Sequence, residues 1–267
     1  MAAKQAPQPA STTSSGRGVW PHSVSHYWRQ SRRPLASLAF VVPLLVLYEG
    51  GVLLLGPQAV RNGADVWLRQ FLDGVGFSQY FLLPVLTVCV LLAWHHLAHD
   101  RWQLSAGVLY VMFAECAMLA LVLLVVARVE GLISHGALWG VDDVDRARAA
   151  MPWVVAGRGA FLGRVLGFVG AGIYEEMLFR LLLLPPVAVV ARHLGARAAL
   201  RVAGAVILTS LMFSAAHYLG PHGEAFEAYT FFFRFTAGAF FAILFVYRGF
   251  GIAAGTHALY DIFVSLG

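Results

Sequence analysis

The chain has 267 residues, 59% of them hydrophobic and 12% charged, with a formal net charge of +5. Soluble domains carry about 25% charged residues, so the composition excludes an ordinary soluble domain and indicates an all-α, polytopic transmembrane helical bundle. The positive charge comes from eighteen arginines and Lys4, scattered between apolar runs with no basic stripe among aromatics, which speaks against nucleic-acid binding and for topology signals.

In chain order, residues 1–33 are rich in Ala, Ser, Gln, Pro and Arg without a sustained apolar period, and read as a disordered basic tail. Leu35–Gly56 is the first span. The preceding "SRRPLAS" resembles a twin-arginine signal, but the run is longer than a signal core and no small-x-small cleavage site follows, so the span is retained. "QAVRNGADVWLRQFLDGVGF" reads as an amphipathic interfacial helix that could hide an eighth crossing. Further spans are Tyr80–Ala98, Leu104–Ala127, Val165–Leu184, Val202–Leu219, Ala228–Tyr247 and Phe250–Leu266, about seven in all. Residues 128–164, with "GVDDVDRARAAMPW", form the one sizeable extramembrane loop. Pro185 and Pro186 are expected to end the fourth span, because proline cannot continue the helical ladder.

Counted on alternate sides, ten Lys and Arg (among them Arg29, Arg32, Arg33 and Arg101) fall with the N-terminus and seven (among them Arg61 and Arg69) fall opposite. That bias places the N-terminus in the cytoplasm. Cys89 and Cys116 lie within apolar runs, which excludes a disulfide framework and a thiolate metal site. Glu49, Glu115 and Arg234 are single ionisable groups in apolar runs, for which pairing or snorkelling is sufficient. His95, His96 and His99 close a span and read as interfacial.

The fourth span is different. "GIYEEMLFRLLLL" sets Glu175, Glu176 and Arg180 within six residues. A charge at the bilayer centre costs about 2.5 to 3.5 kcal/mol on insertion scales. Glu176 and Arg180, four apart with the acid first, can form an ion pair on one helical face. Glu175 points about 100° away and needs other partners or water. Later spans offer them: "FSAAHYLG" sets Phe213 and His217 one turn apart, and "GTHALYDIF" does the same for His257 and Asp261. Two histidines and a carboxylate accompanying an unpaired glutamate suit the activation of water.

The ordered motifs E-E-x-x-x-R, F-x-x-x-H and H-x-x-x-D resemble the type II CAAX prenyl endopeptidases and their prokaryotic Abi or CPBP relatives, which include bacteriocin-processing and immunity proteins. The resemblance covers residues 160–267 as a catalytic core, after N-terminal transmembrane helices and loops in residues 34–159. It implies an intramembrane endopeptidase acting on a membrane-associated protein or peptide. Glu175 would be the general base on a water held by His217, with Glu176, Arg180 and Phe213 supporting the site. His257 and Asp261 would serve the oxyanion. The prenyl endopeptidases proper carry asparagine where this chain has Asp261, and an ionised carboxylate cannot donate to an oxyanion, so Asp261 is expected to orient and charge His257.

No cofactor is favoured. Zinc on Glu175, His217, His257 and Asp261 is the alternative, without the H-E-x-x-H helix of zincins. A non-catalytic immunity or scaffold protein and a proton-coupled transporter are the other classes such intramembrane polar groups could serve.

Overall fold

The computed structural model describes residues 24–56, 61–137, 158–220 and 223–266. Lys4, Arg17 and the "GVDDVDRARAAMPW" loop lie outside the described residues. Within them the protein is all-helical: α1 Val24–Ser31, α2 Pro34–Leu55, α3 Gly63–Gly74, α4 Leu82–Leu97, α5 Ala106–Ala137, α6 Arg158–Glu176, a π-helical segment Met177–Leu183, α7 Leu184–His193, α8 Ala198–Ala216, α9 Ala228–Arg248 and α10 Phe250–Leu266.

Pro34–Leu55, Ala106–Ser134, Ala198–Ala216 and Ala228–Arg248 are long and apolar enough to cross a membrane, and Leu82–Leu97 and Phe250–Leu266 are shorter apolar helices. The protein is a helical membrane bundle, with four helices of spanning length among the described residues where the sequence suggested about seven runs. Its outer surface carries the apolar side chains: Leu54 is 89% exposed, Leu132 75% and Tyr110 66%. Such a surface fits lipid and not water.

α10 organises the interior, packing against α5, α6, α9 and α2. Its "GIAAG" stretch allows this, because small residues let backbones approach closely. Two buried clusters meet on it. One gathers Val41, Leu45, Tyr48, Leu91, Ile173 and Tyr174 with Phe250 and Ala254. The other gathers Met112, Cys116, Leu123 and Phe241 with Ile252 and Ala253.

Four expectations change. Residues 24–31, assigned to the tail, form α1, with Tyr27 and Ser31 buried. What holds it is distant in sequence: Tyr27 OH donates to Glu115, and Arg248 donates to Ser31 Oγ at 3.0 Å and lies 4.0 Å over the Trp28 ring. The loop expected from residue 128 begins later, since α5 continues to Ala137. His95 is fully buried, its ring 4.4 Å from Trp102, whereas His99 is exposed.

The prolines do not end the helical path either. Pro185 and Pro186 lack the N–H that would reach back one turn, and the chain widens into π-helix just before them. The Leu184 N–H bonds Phe179 O, and α7 then starts with proline in its first turn, where no donor is needed.

Glu49, Glu115 and Arg234 are all paired, with Arg69 at 2.8 Å, Arg248 at 2.6 Å and Glu224 at 2.7 Å. Cys89 and Cys116 are free thiols.

Candidate active site

The C-terminal end of α6 delivers Glu175 and Glu176 to the interface with α10, and one glycine makes that approach possible. Gly172 faces Ala254 and Ala258 so closely that an added Cβ would lie 2.5 Å from Ala254 O and 2.8 Å from Ala258 Cβ. One turn further along each helix are the glutamates and His257.

Glu176 is completely buried and is held on both carboxylate oxygens. Oε1 accepts from His257 Nδ1 at 2.8 Å, and Oε2 lies 3.1 Å from Arg180 Nε. The second contact is a charge pair without hydrogen-bond alignment. Arg180, in the π segment, donates Nη2–H to Gly238 O at 3.0 Å and sits 4.4 Å over the Phe213 ring. Phe213 in turn meets Phe179 edge-on at 5.4 Å and His217 at 5.1 Å. Glu176 is therefore wired to His257 as well as to Arg180, so the ion pair expected as a separate brace also fixes the histidine's ring.

His257 is clamped from a second side. Phe241 stacks on it at 4.4 Å and 11° between planes. With Nδ1 committed to Glu176, only Nε2 is available; it lies 3.9 Å from Glu175 Oε2 and 3.6 Å from Asp261 Oδ2.

His217 closes α8, and its Nδ1 lies 2.9 Å from Phe213 O. A carbonyl can only accept, so Nδ1 carries the hydrogen and Nε2 is the nitrogen left for another partner. Glu175 occupies the neighbouring face of α6. Oε1 accepts from Asn62 Nδ2 at 2.8 Å, while Oε2 is buried and bonds no described residue. Glu175 and His217 lie close enough to act on each other electrostatically. Exposure grades across the site: the side chain of Glu176 is 0% exposed, Glu175 12% and Asp261 24%. One edge of the cluster is open, and Glu175 and Asp261 stand on it.

The seven residues singled out in the sequence thus gather at the meeting of α6, the π segment, α8 and α10. Two partners were missed. Asn62 precedes "GAD", a helix-cap signal, but nothing in the sequence aims it at Glu175. Phe241 is one of nineteen phenylalanines. Among the described residues no group of three or more His, Cys, Asp or Glu converges closely enough to hold a metal ion.

The protein is thus a membrane helical bundle that carries a largely buried Glu–His cluster. Residues 157–263 match the family described as type II CAAX prenyl endopeptidase Rce1-like. No curated protein and no solved structure gives a match.

Proposed function

We propose that the protein is an intramembrane endopeptidase of glutamate type, acting on a membrane-associated protein or peptide from a bacterial inner membrane, with its N-terminus in the cytoplasm. The observation that carries this is Glu175 Oε2: a buried carboxylate oxygen with no hydrogen-bond partner among the described residues, at the open edge of a cluster with two histidines.

Water bound between Glu175 Oε2 and His217 Nε2 would donate to both. Glu175 takes one proton as the oxygen attacks the scissile carbonyl carbon, and the carbonyl electrons move to the oxyanion. His257, with Nδ1–H on Glu176, presents Nε2–H to that oxyanion as imidazolium, and Asp261 at 3.6 Å supports the charge. Oxyanion donors of this kind are worth about 10² to 10³ in rate. Collapse breaks the C–N bond, and Glu175 returns its proton to the leaving amine. No step runs through a metal. The family's name makes prenylated C-terminal CAAX peptides the first substrates to try.

The test is cleavage by the purified protein in proteoliposomes, comparing wild type with Glu175→Gln at equal abundance. Wild-type hydrolysis and loss in the variant support the reading; equal cleavage by both rejects it.

A further inference from the structure

Asn62 lies between α2 and α3, well outside the family segment of residues 157–263. Its side chain makes two bonds that use opposite ends of the amide. Oδ1 accepts from the Ala64 N–H at 2.9 Å and caps α3, while Nδ2 lies 2.8 Å from Glu175 Oε1. Because the cap can be satisfied only by an acceptor, the amide cannot flip, and its NH2 is held toward the carboxylate.

A cap residue needs only its oxygen. The bond to Glu175 is an addition that capping does not require, and it spans 113 positions in sequence.

The residues around Asn62 hold it still. Its neighbour Arg61 pairs with Asp65 at 2.6 Å and donates to Tyr80 OH at 2.6 Å. Asp65, fully buried, also receives Tyr48 OH at 2.8 Å and Arg69 Nε at 2.6 Å. These bonds tie the start of α3 to α2. Charge-assisted contacts of this kind hold Arg61 and Asn62 in place at the start of α3.

We propose that Asn62 is a positioning residue for Glu175: by donating to Oε1 it sets the carboxylate's rotation and reserves Oε2 for water. The N-terminal half of the bundle then contributes to the reactive geometry and does not serve only as scaffold. The proposal rests on Glu175 being the water-activating carboxylate.

The variants are Asn62→Asp, which keeps a capping oxygen and has no N–H for Glu175, and Asn62→Ser, whose hydroxyl can still cap α3 but ends one atom short of the amide nitrogen that meets Glu175. Full-length protein in liposomes is used throughout. The first readout needs no substrate: infrared difference spectra against the same protein carrying Glu175→Gln isolate the Glu175 carboxylate stretch. Its band is expected to shift in both Asn62 variants, and an unshifted band overturns the proposal. The second is turnover of a fluorogenic farnesylated C-terminal CAAX peptide. A hydrogen bond to a charged group supports a fall in kcat of about ten- to hundredfold, with KM and thermal unfolding unchanged. Wild-type kcat in both variants overturns the role. Activity in Glu175→Gln would instead reject Glu175 as the base, leaving the infrared result to decide the Asn62 contact by itself.

Discussion

Gly172→Ala places a single methyl group where α6 and α10 touch. The new Cβ would stand 2.5 Å from Ala254 O, 2.8 Å from Ala258 Cβ and 2.9 Å from Ala258 N. Carbon atoms rest about 3.5 to 4.0 Å from their neighbours, and two of these three obstacles are backbone, so no side chain can swing aside. The helices must part by about 1 Å. That takes the 2.8 Å Glu176–His257 bond out past hydrogen-bonding range and draws His257 away from Glu175.

A misplacement of this size lowers a rate about 100-fold, while overpacking destabilises by about 1 to 3 kcal/mol. The assay is peptide turnover in proteoliposomes beside thermal unfolding in detergent. Gly167→Ala, on the same helix with nothing within 4 Å of its Cβ, serves as the control. Wild-type turnover in Gly172→Ala would refute the claim that this close approach sets the site.

Phe241→Leu removes the ring stacked on His257 while nearly keeping its volume; we expect a loss of under about 1.5 kcal/mol in stability and a clear fall in kcat, read by unfolding and turnover side by side. Arg180→Met removes the arginine partner of Glu176, which is 0% exposed, and leaves its Oε2 without a countercharge. Breaking a buried pair costs about 3 to 5 kcal/mol, so the single variant should unfold far earlier than wild type, and adding Glu176→Gln should restore part of the loss. A single variant as stable as wild type would contradict the wiring described here.

What could be read from the sequence was what lies one turn apart or within one apolar run. Glu176 with Arg180 and Phe213 with His217 are four apart, so helical geometry alone brings them together. Single charges in apolar runs implied partners, and Glu49, Glu115 and Arg234 have them. The rest depends on packing between distant elements. α1 forms on contacts with Glu115 and Arg248, which its own composition does not announce. The π segment reflects two absent proline N–H groups accommodated by a wider turn, where a break was the simpler reading. Asn62 reaches Glu175 only because α3 docks on α6, and Phe241 is distinguished from other phenylalanines only by the ring it faces.

The most direct measurement is single-turnover cleavage of a membrane-bound peptide in H2¹⁸O by wild type and by Glu175→Gln, at matched abundance and thermal stability. Direct attack by water predicts one ¹⁸O in the new carboxyl terminus formed by the wild type and no product from the variant. Wild-type product formation by Glu175→Gln would contradict the account.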